Sequence, residues 1–160
     1  MLTFEELYEQ YAKDIYGFSY WLTHNVDVAK EITSETFVKV WTKTSDIKTE
    51  TMKGLLLTIA KNIYIDYLRK NKRLVSTEKI RNKITYEIEQ EYETKEKLES
   101  VYLFLSELKE IDKTAFLLKV QQGMSYEEIA RILNISVSLA KVKVYRVRKK
   151  IIENFISMEN

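Results

Sequence analysis

Residues 125–136 read SYEEIARILNIS and carry the start and stop signals of two short helices. Ser125 followed by Glu128 forms a capping-box pattern, which begins a helix by satisfying its first free amides. Asn134 tolerates the left-handed backbone conformation that a tight turn needs. Ser136 is then placed to cap the next helix. The stretch therefore predicts a helix, a tight turn and a second helix.

The helix that follows residue 136 is apolar on one side and basic on the other. Ala140, Val144, Val147 and Ile151 recur three or four positions apart, which is the spacing of a buried helix face. Residues 138–150 include six basic residues and no acidic one. A capped second helix with a basic outer side is typical of a helix-turn-helix that docks in the major groove of DNA. The alternative is an ordinary amphipathic helix with a solvated basic face.

The rest of the chain also favours helices. Among its 160 residues there is no proline and there are only three glycines, whereas a β-rich fold usually has more of both. Apolar residues recur at helical spacing in several segments. Thr3 is predicted to cap the first helix and Asp27 the second, and Gly123 is placed to end the helix before the helix-turn-helix. The predicted helical segments are 4–24, 28–41, 52–72, 96–105 and 114–120.

Charge and periodicity predict two domains joined by a linker. Periodicity weakens between Leu74 and Lys95, where glutamates occupy every second position from Glu87 to Glu93. Basic clusters lie on both sides of this acidic segment, which suggests two nucleic-acid contacts and a connector. The expected fold is all-α, with helical domains at 1–75 and 96–160 and an acidic linker at 76–95. A solvated helix within one continuous domain is the alternative for the linker.

Several functional classes find no support in the sequence. There is no cysteine, so a disulfide framework and a cysteine zinc site are excluded. His24 is the only histidine and has no pattern of carboxylates around it. No nucleophile–base pair or glycine-rich phosphate loop is present, so we expect neither an enzyme nor a cofactor. The N-terminal glutamates and the lack of a long apolar run predict a cytoplasmic protein that does not insert into membranes.

Two sets of motifs resemble one family. Residues 123–130 (GMSYEEIA) and 135–137 (ISV), with the basic residues that follow, resemble the minus-thirty-five-binding domain of bacterial sigma factors, above all the extracytoplasmic-function (ECF) group. Residues 31–41 are similar to the sigma segment that binds the clamp helices of the largest RNA polymerase subunit. Residues 57–70 look like the helix that binds the minus-ten element. The two sets lie in the family's order and cover nearly the whole chain.

The resemblance implies a DNA-binding face on the last helix. Leu139 and Val142 depart from the small polar residues usual at their positions, and Val142 favours contact with a thymine methyl group. The expected contacts with the upstream promoter element are Ser136, Ser138, Leu139, Lys141, Val142, Lys143, Tyr145, Arg146 and Lys149.

The resemblance also implies two contact sites in the N-terminal half. Asn62 and Asp66 would bond to an everted base of the minus-ten element, and the phosphates would be held by Arg69, Lys70 and Arg73. Tyr64 and Tyr67 are candidates for stacking on bases, but a core position is favoured for Tyr67. The expected polymerase contacts are Glu31, Glu35, Phe37, Val38 and Trp41. Each set has a structural alternative, namely a polar face with an Asp66–Lys70 pair, and a half-buried helix with a Glu35–Lys39 pair.

The function implied is that of a sigma factor, which directs core RNA polymerase to specific promoters and assists their opening. Its expected partners are the clamp helices and flap of the polymerase, promoter DNA and an anti-sigma factor. The rival interpretation is a self-standing helix-turn-helix repressor or activator that binds an operator as a dimer. A protein that acts through its N-terminal domain alone is a third possibility. The repressor or activator needs a dimerisation surface, and none is evident in the sequence.

Overall fold

The computed structural model describes residues 3–42, 51–71 and 92–156, which form seven α-helices and a terminal π-helical turn at Ile152–Ile156. No strand occurs in these ranges, so the predicted all-α class is confirmed. None of the described helices is long and apolar enough to cross a membrane. The helices are α1 Phe4–Thr23, α2 Val26–Thr42, α3 Met52–Asn71, α4 Tyr92–Ser106, α5 Glu110–Val120, α6 Tyr126–Leu133 and α7 Val137–Ile151.

The first helix begins and ends as its sequence predicts. The Thr3 hydroxyl accepts a hydrogen bond from the Glu6 amide at 3.2 Å, and the Glu6 carboxylate accepts one from the Thr3 amide at 3.0 Å. The helix ends at His24, which adopts the left-handed conformation with φ of 54°. Asp27 is not the cap of α2, because the Asn25 side chain accepts from the Val28 amide at 3.1 Å. That cap is therefore two residues earlier than expected.

Helices α1, α2 and α3 form a three-helix core in which each helix contacts the other two. Four residues of α2 are buried because they recur at the spacing of one helix face, namely Ala29, Ile32, Thr36 and Val40. Each helix contributes a large, fully enclosed side chain to this core, for example Phe18 of α1, Phe37 of α2 and Leu56 of α3. Burial of these side chains fixes the rotation of each helix and decides which residues of α2 and α3 face outward.

Helix α4 differs from the expectation in its start and in its neighbours. It begins at Tyr92, so residues 92–95, predicted as the end of the linker, are helical. Its Tyr102 ring packs 4.3 Å from the Trp21 ring and 3.9 Å from the His24 ring, between ring centroids. The described contacts divide the chain between Glu107 and Leu108, whereas we expected the second domain to begin at 96. The rest of the predicted linker, 76–91, lies outside the described residues.

The second unit contains the predicted helix-turn-helix. Gly123 adopts φ of 67° after α5, which glycine tolerates without strain. The Ser125 hydroxyl accepts from the Glu128 amide at 3.1 Å and starts α6. Asn134 ends α6 with φ of 54°, and the Ser136 hydroxyl accepts from the Leu139 amide at 3.0 Å to start α7. Local capping chemistry therefore defines both ends of the turn.

Candidate functional site

Burial of one side of α7 fixes the orientation of the other. Ala140, Val144 and Val147 are each at most 1% exposed, whereas Ile151, the fourth residue predicted for this face, is only half-buried. Helix α7 contacts both α5 and α6 in the second unit. A helix held along this stripe must present the opposite side to solvent.

The outward side of α7 carries most of the residues predicted to bind upstream DNA. None of the charged residues on this helix is acidic, so its exposed face has a positive potential that suits a phosphate backbone. The exposed members of the predicted set are Ser136, Ser138, Leu139, Lys141, Val142, Tyr145, Arg146 and Lys149.

Lys143 is the exception on this helix. Its ammonium lies 2.8 Å from the Asp112 carboxylate of α5, and its side chain is only 14% exposed. A partly buried ion pair of this kind ties α7 to α5 and removes the charge from the outer face. The expectation that Lys143 contacts DNA is thus wrong for this arrangement, because its position on the helix turns it towards α5.

A cluster of two lysines and a tyrosine lies at the start of α6 and was not predicted. The Lys119 ammonium is 4.4 Å from the centre of the Tyr126 ring, and the Lys141 ammonium is 5.9 Å from it. Both distances lie within the range of cation–π attraction. The three residues come from three different helices, so no local sequence pattern signals the cluster.

The predicted minus-ten residues of α3 share an exposed polar face. Asn62, Asp66, Arg69 and Lys70 are all exposed. Asp66 pairs with Arg69 at 3.9 Å rather than with Lys70, which was the expected partner four residues on. Since both side chains are largely in solvent, this pair adds little to stability and leaves both groups accessible. Arg73 lies outside the described residues.

The two tyrosines of α3 have different surroundings. Tyr64 is buried, so it is not available to stack on a base and the expectation for it is wrong. Tyr67 is half-buried; burial raises its pKa, and the Glu31 carboxylate of α2 raises the pKa further. Helices α2 and α3 contact each other, so Glu31 lies close enough to Tyr67 to have this effect.

The predicted polymerase-binding residues of α2 divide into an exposed group and one core residue. Glu31, Glu35 and Val38 are exposed, and Trp41 is 57% exposed. Phe37 is 1% exposed and packs on the Tyr8 ring at 5.0 Å between centroids. Phe37 therefore cannot touch a partner without unfolding, which corrects the prediction for that residue.

An aromatic extension of this face was missed. The Phe4 ring meets the Trp41 ring edge-on at 5.5 Å and stacks with the Tyr8 ring at 6.4 Å. Phe4 and Tyr8 both remain partly in solvent, so α1 continues the apolar surface of α2. The four-residue spacing of Phe4 and Tyr8 is the signal that sequence inspection had available.

Comparisons with known proteins match two regions of the sequence. The sequence profile of Sigma-70 region 2 matches residues 7–74, and that of Sigma-70, region 4 matches residues 98–151. The RNA polymerase sigma factor YlaC of Bacillus subtilis is 30% identical over 156 residues, which cover 94% of this chain and 90% of YlaC. The chain belongs to the sigma-70 family.

Further relatives are named as sigma factors of the ECF group. The ECF RNA polymerase sigma factor SigM of Bacillus subtilis is 26% identical over 152 residues, covering 94% of this chain and 93% of SigM. The sigma factor RpoE of Bartonella quintana, solved with the anti-sigma factor NepR, has the same fold with a TM-score of 0.72. It is 21% identical, and the match covers 94% of each chain.

Membership of the sigma-70 family decides between the functions that the sequence left open. The protein is a sigma factor, which directs core RNA polymerase to promoters in transcription initiation, and not a self-standing repressor or activator. The region 2 match covers α1 to α3, whose exposed faces were described above, and the region 4 match covers the helix-turn-helix. Both matched regions thus contain a candidate interface.

Proposed function

We propose that this sigma factor binds promoter DNA and core RNA polymerase through three exposed surfaces. The outer face of α7 docks in the major groove of the upstream promoter element. The polar face of α3 captures the minus-ten element, and the outer face of α2 binds the clamp helices of the largest polymerase subunit. The observation that carries the proposal is the exposed side of α7, whose charged residues are all basic, opposite a fully buried stripe.

The DNA-facing helix combines two kinds of contact. Residues in its first turns lie nearest to base edges when a helix-turn-helix docks, and Lys141 is in this part of α7. Arg146 and Lys149 come more than a turn later, where the helix passes the phosphate backbone. In this arrangement Lys141 contributes to sequence preference, whereas Arg146 and Lys149 contribute affinity for any duplex.

The minus-ten surface is suited to single-stranded DNA. Asn62 presents both donors and acceptors to a base edge, and Asp66 accepts from exocyclic amino groups. Arg69 and Lys70 supply the cationic track that single-stranded binding requires, with Arg73 proposed as its continuation beyond the described residues. The Asp66–Arg69 pair is exposed, so either group can exchange its partner for a nucleotide.

The polymerase surface offers acidic groups beside an apolar anchor. Glu31 and Glu35 present negative charge, and Val38 and Trp41 present exposed apolar area on the same helix. Interfaces typically gain most of their affinity from such buried aromatic anchors. Phe37 supports this surface from below through its contact with Tyr8.

The remaining partners follow from family membership. RpoE of Bartonella quintana was solved with an anti-sigma factor, and we propose that a protein of this class also inhibits the present sigma factor. The polymerase flap is the proposed second contact of the core enzyme. The polymerase performs all chemistry, and the sigma factor acts where the polymerase is, in the cytoplasm.

Replacing Lys141 with alanine is expected to change which upstream sequences the holoenzyme prefers. Each lost base contact costs about 1–3 kcal/mol of discrimination. The measurement is selection of promoters from a library randomised in the upstream element, with wild-type and variant holoenzymes in parallel. Identical preferred sequences from the two would show that Lys141 contacts no base.

The matched variant Arg146→Ala is expected to behave differently. It removes a phosphate contact, so it should lower the affinity of the holoenzyme for all promoters evenly. It should also reduce the slope of log affinity against log salt concentration by about one. Binding titrations at several salt concentrations measure that slope. If Arg146→Ala changed the preferred upstream sequence and left the salt slope unchanged, the roles assigned to Lys141 and Arg146 would have to be exchanged.

A further inference from the structure

Two exposed apolar side chains occupy the first turns of α7, where a docked helix lies closest to the bases. Leu139 and Val142 are each 39% exposed, although larger apolar groups of the same unit are buried. They are three residues apart, so they are neighbours on the helix surface. The buried stripe of α7 prevents the helix from rotating to hide them.

Because these side chains are apolar, few chemical groups in a major groove are suitable contacts for them. Guanine, adenine and cytosine present hydrogen-bonding groups there, whereas thymine adds a methyl group. Covering a polar base edge with leucine or valine would cost the hydrogen bonds that it makes to water. A thymine methyl group instead gains from leaving water. The valine side chain is stiff about its first torsion, so it is held in place before binding.

We propose that Leu139 and Val142 form an apolar reading surface for thymine methyl groups in the upstream promoter element. The inference rests on the proposed docking of α7 in the major groove and names the base that this docking selects. Duplex DNA is a better occupant than a protein because every charged residue of α7 is basic, including Lys141 and Arg146 on either side of Val142. The surface therefore selects one or two thymines beside the contact made by Lys141.

Uracil interference tests the proposal, because deoxyuridine differs from thymidine only by the missing methyl group. Promoter DNA obtained by selection with the holoenzyme is partly substituted with deoxyuridine, and the bound and free fractions are separated and cleaved at uracil. Loss of one buried methyl group corresponds to about 0.8 kcal/mol, or about fourfold in affinity. We expect the bound fraction to be depleted about fourfold in uracil at one or two thymines of the upstream element.

Variants assign the effect to the two side chains. In Leu139→Ala and Val142→Ala holoenzymes the depletion should vanish at one thymine each, whereas Ile111→Ala, an exposed apolar residue of α5, should leave it intact. The proposal would be overturned if the bound DNA were depleted of uracil as strongly with both variants as with the wild type. It would also be overturned if the wild-type holoenzyme showed no depletion of uracil although its promoter binding depends on Arg146. If Leu139→Ala and Val142→Ala weaken the binding of the sigma factor to core polymerase and leave the uracil depletion unchanged, the surface is a protein contact and the proposal is wrong. If promoter binding by the holoenzyme does not change in the Arg146→Ala variant, the proposed docking of α7 in the major groove is itself wrong.

Discussion

Replacing Phe37 with alanine is expected to lower the free energy of unfolding of the N-terminal unit by about 3–5 kcal/mol. The ring is 1% exposed and packs between the helices of the core, so its removal leaves a cavity that the neighbours fill only in part. The loss is a large share of the 5–15 kcal/mol that stabilises an ordinary domain. Both tryptophans of the chain, Trp21 and Trp41, lie in this unit, so urea titration followed by tryptophan fluorescence reports on it directly.

Trp41→Ala is the control for this prediction. Trp41 is 57% exposed, and its edge-on contact with Phe4 is worth about 1 kcal/mol. The fluorescence of Trp21 still reports unfolding in that variant. Equal stabilities of the Phe37→Ala and Trp41→Ala proteins would contradict the placement of Phe37 in the core. Weak polymerase binding by Phe37→Ala should accordingly be interpreted as loss of fold.

The second large effect is expected on polymerase binding. Trp41→Ala should weaken the complex with core RNA polymerase about 30-fold, which corresponds to the 2 kcal/mol typical of a buried aromatic anchor. Glu35→Arg should weaken it as well, by reversing a charge within the proposed interface. The Glu35–Lys39 pair, at 3.5 Å, is exposed, so the fold should lose no more than about 0.5 kcal/mol.

Affinity for purified core polymerase, measured by anisotropy of a labelled sigma factor, checks this second prediction. Glu96→Arg, an exposed acid on α4, is the matched control and should leave the affinity unchanged. Circular dichroism establishes that each variant is folded. Wild-type affinity of a folded Trp41→Ala protein would remove the outer face of α2 from the polymerase interface.

Features determined by local chemistry were predictable from the sequence. The helix-turn-helix was found because Ser125, Asn134 and Ser136 each act on backbone groups within a few residues of themselves. The buried stripe of α7 was found because helical periodicity alone decides which side chains share a face. These effects need no knowledge of the rest of the fold.

Features determined by distant contacts were not predictable in the same way. Lys143 looks like any other basic residue of α7 until the fold brings Asp112, 31 positions away, to 2.8 Å. The burial of Phe37 depends on Tyr8 of another helix, and Tyr102 of α4 packs on Trp21. Sequence periodicity gives the side of a helix that is buried but not the element that covers it.

We expect this sigma factor to make core polymerase start at discrete promoters through the basic face of α7. Run-off transcription with purified core enzyme tests it most directly, with three samples on the selected promoters: core alone, core with the wild-type protein, and core with the Lys141→Ala/Arg146→Ala protein. We predict discrete products with the wild type, none with core alone and a strong reduction with the double variant. Equal products from the wild type and the double variant, or no initiation by a wild-type protein that binds the promoter without polymerase, would contradict the claim.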